Sequence, residues 1–514
     1  MTPSLQQQTV INWVRDGKGS AFVEAVAGAG KTTTLISALA ETKGFVDFAA
    51  YNTKIAQEIK AKVGKLGLGD RVHVGTFHSF GFQAWRKSYP DVKAGTEAAK
   101  EKRDMTVEKF RSIKAPEVLD NFVLKLVSLA KQRAIGLYGQ IEDRKLWWDI
   151  IEHFDLAYEL DDEGVEFGSP ALAEKGVDLA MRTLQWHKAI SPKIIDFDDM
   201  CYMPAVSGVR MFQADWIFVD EAQDTNPVRR ALARKMLKPT GRACFVGDTN
   251  QAIYGFTGAD SDAIQQITND FNCATMPLTI TYRCPKKVVE MAHEVVSHIR
   301  AAETAPEGKV EHVELECILP NKVGGYDLRP DDAVLCRNTK PLVKLAFALI
   351  RQGVACHVEG KDIGFGLLKL VDRFKAKTIT AFRDKLVAWA EKEIEKLTAK
   401  GREIQAENLK DRVDTLLVMT DAHPPAAYVT ELRMRIATMF TDGENEAKPT
   451  VTLSTCHRAK GREWHRVFIL GYRQYMPSRY ARQEWQLQQE QNLQYVAVTR
   501  SKSELVLVNV PEDF

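Results

Sequence analysis

A glycine-rich turn between an apolar run and a helix-forming segment constrains the fold of this chain more than any other feature. Residues 20–27 read SAFVEAVA, which predicts a short buried strand, and TTTLISALAE follows as a predicted helix. Between them, Gly28 and Gly30 let the backbone approach a ligand closely, and Lys31 and Thr32 open the helix. Backbone N–H groups in such a turn, together with a helix N-terminus, attract phosphate oxygens. The sequence therefore predicts a phosphate-binding loop in an α/β fold.

The loop departs from the usual pattern G-x-x-x-x-G-K-[ST] at its first position, where Ala25 replaces glycine. The alternative is an accidental Gly/Ala turn, which the G-K-T triplet between a strand and a helix disfavours. In the phosphate-loop interpretation, Lys31 reaches the β- and γ-phosphates and the Thr32 hydroxyl ligates Mg²⁺. Ala25 lies before the two glycines that must approach phosphate, so its methyl group need not block the loop.

Two further apolar runs end in polar side chains. WIFVDEAQD, residues 216–224, ends a predicted strand with Asp220, placed to hold Mg²⁺ through water, and Glu221, placed to orient or deprotonate the attacking water. CFVGDTNQ, residues 244–251, puts Gln251 beyond a third strand, where it can sense the γ-phosphate. Three predicted strands that are each followed by candidate site residues predict a parallel sheet, in which ligands bind at the carboxyl ends of the strands.

Composition bounds the rest of the interpretation. A chain of 514 residues predicts about three to four domains. No apolar run is long enough for a membrane span, and MTPSLQQQTV lacks the features of a signal peptide. The net charge of +2 predicts that any nucleic-acid surface is a local basic groove. Eight cysteines without a C-x-x-C pair are interpreted as reduced buried thiols, which predicts a cytoplasmic protein.

Eight segments in order resemble the motifs of superfamily 1 DNA helicases of the UvrD/Rep/PcrA type, in which the phosphate loop commonly opens with alanine. Beside the phosphate loop, the segments that carry the resemblance are PSLQQQTVI, FAAYNTKIAQEI, VGTFHSFG, IFVDEAQD, VGDTNQAIYGFTGAD, LTITYRCP, VTLSTCHRAKGREWHRVFILG and EQNLQYVAVTRSKSELVL. They run from residue 3 to residue 507, so the resemblance spans most of the chain.

The resemblance implies an α/β fold of two RecA-like P-loop domains with parallel sheets, each carrying a mainly helical insertion. The expected boundaries are residues 1–85 with 188–275 for domain 1A, 86–187 for insertion 1B, 276–365 with 446–514 for domain 2A, and 366–445 for insertion 2B. A 2B insertion of about 80 residues is short for this family. Within 1B, Trp147 and Trp148 are expected in the core.

The resemblance also implies a nucleotide site between the two domains. Gln7, with Gln6 as the alternative, is expected to read adenine, Tyr282 to stack on it, and Glu463 to lie near the ribose. Arg283 and the arginine finger Arg500 are expected at the γ-phosphate, where they neutralise charge in the transition state. The expected cofactors are ATP and Mg²⁺. The catalytic set is Lys31, Glu221, Gln251, Arg283 and Arg500, the remaining loop contacts are Gly28, Ala29, Gly30, Thr32 and Thr33, and the metal ligands are Thr32 and Asp220.

Six positions match family residues that line the DNA path. Tyr51 and Phe256 are expected to stack on bases, although either aromatic can instead be an ordinary core residue. The other four are Thr76, His78, Tyr254 and His457, and either histidine can instead be a hydrogen-bonded structural residue. Three residues depart from the family pattern: Thr257 and Thr33, where relatives carry arginine, and Arg462, where leucine is common. They leave open how firmly the protein holds the DNA strand and how ATP hydrolysis is coupled to that contact.

The expected function is an ATP-dependent helicase and translocase that moves 3′→5′ on single-stranded DNA and unwinds duplex. The expected partners are single-stranded DNA and junctions of single- and double-stranded DNA, with no membrane and a monomeric free state. DNA is preferred over RNA by resemblance alone. Two alternatives stay open: a DNA-stimulated translocase that strips proteins from DNA, and a motor subunit of a repair or defence complex. No nuclease carboxylate cluster follows the last motif, so a nuclease would be a partner.

Overall fold

Both large sheets of the computed structural model of the protein pair their strands in parallel throughout. The structure describes residues 3–154, 156, 170–253, 263–319, 325–399, 403–422, 424, 427–441, 450–511 and 514. The chain divides into two units. The first takes the described residues up to Leu278, except residues 26–29 and 250–253, which group with the second unit.

The first unit contains a six-stranded sheet in the order β3-β2-β4-β5-β1-β6. Its strands are β1 (Ser20–Ala25), β2 (Val46–Ala49), β3 (Val72–Gly75), β4 (Ala214–Val219), β5 (Leu237–Gly247) and β6 (Cys273–Leu278). The three strands predicted to be followed by site residues are neighbours in the sheet: β1, β4 and β5. Since they are parallel, their carboxyl ends share one edge.

Polar caps fix where several helices of the first unit begin. Ser4 and Thr76 form capping boxes, and Asn52 accepts a hydrogen bond from the Ile55 amide. The helices are α1 (Leu5–Asp16), α2 (Lys31–Ala40), α3 (Thr53–Lys65), α4 (Phe77–Ser88), α5 (Thr96–Ser112), α6 (Leu119–Gln132), α7 (Arg144–His153), α8 (Pro170–Ile190), α9 (Phe197–Val206), α10 (Pro227–Met236) and α11 (Ala263–Phe271). Helices α5–α8 interrupt the sequence between two strands of the sheet, as a helical insertion would.

One apolar core joins the sheet of the first unit to the helices α5–α8. Trp147 is completely buried in this core and Trp148 packs against it half-buried, as the sequence predicts. A buried ionic cluster accompanies the core: Lys131 Nζ lies 2.7 Å from Asp196 Oδ2 and 2.8 Å from Asp199 Oδ1. Lys102 also pairs with both aspartates. The insertion is thus tied to the start of α9 by charge as well as by apolar contact.

The second unit contains a seven-stranded parallel sheet in the order β12-β11-β13-β10-β14-β15-β9 and a small pair, β7-β8. The strands are β7 (Ile280–Thr281), β8 (Arg300–Ala301), β9 (Lys309–Glu314), β10 (Ala333–Cys336), β11 (Cys356–Glu359), β12 (Phe440–Thr441), β13 (Val451–Thr455), β14 (Trp464–Leu470) and β15 (Ser501–Asn509). The helices are α12 (Lys286–Ala292), α13 (Thr339–Arg351), α14 (Lys361–Arg373), α15 (Ile379–Ala399), α16 (Glu403–Asp421), α17 (Val429–Met439), α18 (Tyr472–Tyr475) and α19 (Glu484–Val498).

The helices α14–α17 share one apolar core with the sheet of the second unit. Phe382, Leu416 and Leu432 belong to the same buried cluster as Val334 of β10 and Leu453 of β13. A half-buried ion pair adds to this attachment, because Arg337, just after β10, lies 3.6 Å from Glu407 of α16. These helices are therefore attached to the second unit through a shared apolar core and an ion pair.

The prediction of an α/β fold with two parallel sheets, each interrupted by helices, is confirmed. The domain boundaries themselves stay a prediction. Within the described ranges, no helix combines the length and apolar character that a membrane span requires.

Candidate functional site

The phosphate-loop segment forms the strand, turn and helix that its sequence predicts. Strand β1 ends at Ala25, and α2 begins at Lys31. Gly28 and Gly30 have φ values of 73° and 77°, in the left-handed region that glycine adopts without strain. Ala25 is completely buried and pairs with Leu278 of β6. Its methyl group is therefore enclosed by the protein at the end of β1, so alanine is accommodated at this position.

The carboxyl ends of β1 and β4 bring four predicted site residues together in the first unit. The Thr32 hydroxyl donates a hydrogen bond of 2.9 Å to Asp220 Oδ2. Lys31 Nζ lies 3.7 Å from Glu221 Oε2. A cation, a hydroxyl and two carboxylates thus converge at one edge of the parallel sheet.

The pair of acidic side chains is electrostatically strained. Asp220 is 4% exposed, and burial together with the adjacent Glu221 carboxylate raises the pKa of Asp220 to about 6. Lys31 and the Thr32 hydroxyl partly oppose this effect, because both favour the charged form. A bound cation would relieve the same strain, since it stabilises ionised carboxylates.

The donor set at this edge fits Mg²⁺. Thr32 and Asp220 supply hard oxygen donors that lie within hydrogen-bonding distance of each other. Mg²⁺ commonly takes only one or two protein oxygens and completes its shell with water and phosphate oxygens. Two protein ligands beside a phosphate loop are therefore sufficient.

Gln7 lies close to the phosphate loop. A side chain at Gly30 would meet Gln7 Nε2 at 2.9 Å, while Gln7 Oε1 accepts a hydrogen bond from the Ser4 amide. The capping box at the start of α1 thus orients the side chain of Gln7. Ala29 is buried and Thr33 is exposed on α2.

Arg500 is a buried arginine with its charge satisfied mainly by carbonyl oxygens. Its side chain is 1% exposed and donates to the carbonyls of Val496 and Arg462. Gln251 groups with the second unit, as Arg500 does, and Arg500 Nη2 lies 3.4 Å from Gln251 Oε1. The sequence-predicted finger and γ-phosphate sensor therefore contact each other.

Arg283 pairs with an acidic residue that the sequence also assigned to the nucleotide. Arg283 Nε donates to Glu463 Oε2 at 2.6 Å, and Lys502 lies 3.2 Å from the other carboxylate oxygen. The Arg283 and Lys502 cations lower the pKa of Glu463 against the effect of burial. Tyr282, directly before Arg283, is 46% exposed, so its ring is accessible to a planar ligand.

The described DNA candidates differ in their surroundings. Tyr51 is 38% exposed in the connection between β2 and α3, which disfavours an ordinary core role. Thr76 caps α4, where its hydroxyl accepts a hydrogen bond from the Ser79 amide. Burial lowers the pKa of His78 and of His457 to about 4, and both are therefore neutral at pH 7. The predictions for Tyr254 and Phe256 lie outside the described residues.

Of the three departures from the family pattern, Thr257 also lies outside the described residues. Arg462 forms an ion pair with Glu359 at the end of β11, and its guanidinium lies 4.9 Å from the centre of the Trp464 ring. This arginine is therefore anchored within the second unit. Thr33, the third departure, is exposed on α2.

Sequence reasoning missed Gln223, which is 1% exposed. Its Nε2 donates to Glu221 Oε2 at 2.5 Å and its Oε1 accepts from the Asp248 amide at 3.0 Å. The available signal was its place two residues after Glu221. A glutamine there has no distinctive spacing pattern, so only the structure reveals these two contacts.

Comparison with known proteins gives two matching family profiles. Residues 5–272 match the UvrD/REP helicase N-terminal domain, and residues 450–508 match the UvrD-like helicase C-terminal domain.

Among the relatives is the ATP-dependent DNA helicase PcrA of Staphylococcus epidermidis (strain ATCC 35984), which is 28% identical over 318 residues. The protein with the same description from Staphylococcus aureus (strain Mu50) is 27% identical over 316 residues. Each alignment covers 57% of this chain and 40% of the relative. The chain thus matches two fifths of the length of these relatives.

Proposed function

Because the chain belongs to the UvrD/Rep helicase family, we propose that it hydrolyses ATP to move along single-stranded DNA and to unwind duplex, in the 3′→5′ direction. The observation that carries this proposal is the convergence of Lys31, Thr32, Asp220 and Glu221 at one edge of a parallel sheet. The names of the PcrA relatives support ATP and DNA as the substrates. A cytoplasmic location and a monomeric free state belong to the same proposal.

The loop residues bind and orient the triphosphate. The amides of the turn around Gly28 and Gly30, with the N-terminus of α2, supply hydrogen bonds and partial positive charge to its oxygens. Lys31 adds a full charge beside the β- and γ-phosphates. Thr32 and Asp220 would hold Mg²⁺, which when bound neutralises charge on the phosphates and polarises them.

Glu221 is the candidate base. It orients the attacking water and takes up its proton, while Lys31, 3.7 Å away, keeps its carboxylate next to the phosphate loop. Gln251 is proposed to sense the γ-phosphate. Arg283 and Arg500 are proposed to stabilise the charge that develops on it.

Adenine and DNA contacts complete the proposal. Tyr282, 46% exposed, is proposed to stack on adenine, with Gln7 reading its edge and Glu463 near the ribose. Tyr51, 38% exposed, is proposed to stack on a base of the single strand, with Thr76, His78 and His457 lining its path. Stacking tolerates any base, which suits a motor that moves along unselected sequence. Tyr254 and Phe256 stay predictions.

A translocase that strips proteins from DNA with little unwinding is the second candidate. The attachment of helices α14–α17 favours this candidate. They share the apolar core of the second unit, and Glu407 of α16 pairs with Arg337, just after β10. An insertion attached in this way would be less free to move than a separate domain.

ATP hydrolysis with and without single-stranded DNA, measured beside strand separation of tailed duplexes, tests both candidates. The main proposal expects hydrolysis to rise with DNA and unwinding to require a 3′ tail. Unwinding from a 5′ tail alone would contradict the direction. Stimulated hydrolysis without separation at low salt would favour the translocase, and no hydrolysis in either condition would reject both.

A further inference from the structure

The side chain of Gln223 bridges two strands of the first unit at the edge that carries the candidate site. It follows β4 and is 1% exposed. Its Nε2 donates to Glu221 Oε2 at 2.5 Å, and its Oε1 accepts from the amide of Asp248, directly after β5, at 3.0 Å. One amide group therefore fixes the distance between the carboxylate of Glu221 and the end of the neighbouring strand.

Gly247 leaves the space that this bridge needs. A β-carbon added there would lie 2.6 Å from Gln223 Oε1, 3.1 Å from the Gln223 amide nitrogen and 3.4 Å from that of Ala222. The first distance is too short for non-bonded atoms, and the next atoms are backbone, which cannot move aside cheaply. The constraint is space rather than backbone conformation, since Gly247 is not among the residues with positive φ.

Glu221 needs such support because its backbone is strained. Its φ of 52° and ψ of 47° lie in the left-handed region, which a residue with a β-carbon seldom adopts. Such a conformation persists only where the surroundings determine it. The contact of Gln223 with Oε2, the oxygen nearest to Lys31, restrains the side chain that this backbone presents.

We propose that Gln223 is a positioning residue for ATP hydrolysis, held in place by the absence of a side chain at Gly247. This role rests on the proposed function, in which Glu221 acts on the attacking water. Gln223 donates to the carboxylate oxygen of Glu221 and thereby selects one orientation of that carboxylate. It acts through Glu221 rather than on the nucleotide, so its loss slows turnover without weakening ATP binding.

Two variants test the role from opposite sides. Gln223→Met keeps the length of the side chain and removes both hydrogen bonds. Gly247→Ala removes no polar group but displaces the Gln223 side-chain amide. Matched controls are Gln185→Met, on the exposed face of α8, and Gly64→Ala, on α3, where an added β-carbon meets no atom within 4 Å.

The measurements are kcat and KM for ATP with saturating single-stranded DNA, binding of a non-hydrolysable ATP analogue, and the melting temperature. We expect Gln223→Met and Gly247→Ala to lower kcat by about 10- to 100-fold, less than full removal of a general base, with KM and analogue binding within about twofold. The controls keep the wild-type values. Should Gln223→Met fail to fold, Gln223→Asn, which is too short to span both partners, carries the same expectation.

Unchanged kcat in both variants, with an active wild type, would reject the positioning role and leave the proposed function intact. A parallel fall of kcat, analogue binding and melting temperature would assign Gln223 a structural role and reject the proposal as well. A wild-type chain that does not hydrolyse ATP would reject the proposed function and this role together.

Discussion

At the scale of single residues, exposure separates the candidate DNA contact Tyr51 from the core aromatics around it. Phe48 of β2, three residues earlier, is completely buried, whereas Tyr51 is 38% exposed. Burial and the nearby Asp224 raise the pKa of Tyr51 to about 12, so its hydroxyl stays neutral in any assay near pH 7. A neutral, accessible ring can stack on a base without adding charge.

The Tyr51→Ala variant tests this role. We expect affinity for an unstructured single strand to fall by about 5- to 150-fold, since one stacked base contributes about 1–3 kcal/mol. Tyr51→Phe keeps the ring and serves as the control, with affinity close to wild type. Fluorescence anisotropy at several salt concentrations should give the same slope of log affinity against log salt for all three proteins, because no charge changes. Equal losses in both variants would assign the effect to the hydroxyl instead.

The sequence predicts the residues of the site better than it predicts their support. Lys31, Thr32, Asp220 and Glu221 were recognisable because each lies in a local strand-and-turn pattern, and the structure brings them together. Gln223 was missed because its partners, the Glu221 side chain and the Asp248 amide, meet only when β4 and β5 pair.

The buried charged residues could not be predicted from the sequence for the same reason. Lys131 lies on an amphipathic helix where a lysine normally faces solvent, yet it is 2% exposed. Its partners Asp196 and Asp199 are more than sixty residues later in the chain. Helical periodicity predicts which face is apolar, but it cannot identify a charged partner on another element.

At the scale of elements, strand β2 carries a buried acidic side chain, Asp47, among apolar neighbours. Asp47 is 2% exposed, and its Oδ1 lies 3.2 Å from His73 Nδ1 on the edge strand β3. Burial raises the pKa of Asp47 to about 6, although His73 partly opposes the shift. The folded protein therefore binds this proton more tightly than the unfolded chain, whose aspartates titrate near 3.8.

The free energy of unfolding should consequently fall as the pH rises from about 4 to about 6. The contribution of Asp47 is favourable below pH 4 and is lost as the pH rises from about 4 to about 6. Asparagine cannot ionise. We therefore expect the free energy of unfolding of Asp47→Asn, relative to wild type, to increase by about 1–3 kcal/mol as the pH rises from 4 to 7. Chemical unfolding across this range measures the difference, with the exposed Asp104→Asn as the control. A constant difference between variant and wild type would contradict the shift.

At the scale of the whole molecule, the net charge of +2 offers little general attraction for polyanions. Nucleotide binding must then depend on local groups of the phosphate loop, and a ligand that binds only the folded chain stabilises it. Loss of one lysine should therefore have a large effect on ligand-induced stability and a small effect on the free protein.

Thermal unfolding with Mg²⁺ and a non-hydrolysable ATP analogue checks this expectation. At a ligand concentration about 100 times the Kd, the wild type should gain about 2.7 kcal/mol. Lys31→Ala should lose most of that gain and all hydrolysis, whereas Lys65→Ala, exposed at the end of α3, should behave as wild type. Chelation of Mg²⁺ should reduce the gain in the wild type. A gain of the same size in Lys31→Ala would argue against the phosphate-loop role.

The left-handed backbone of Glu221 has a consequence for any attempt to improve this protein by selection. Glycine adopts such a conformation without steric cost, so Glu221→Gly should relieve strain of about 1–3 kcal/mol, in part offset by the greater freedom of glycine in the unfolded chain. The same change removes the candidate base. A screen for heat resistance alone would therefore enrich an inactive chain at this position, and only a screen that also demands turnover would retain the glutamate.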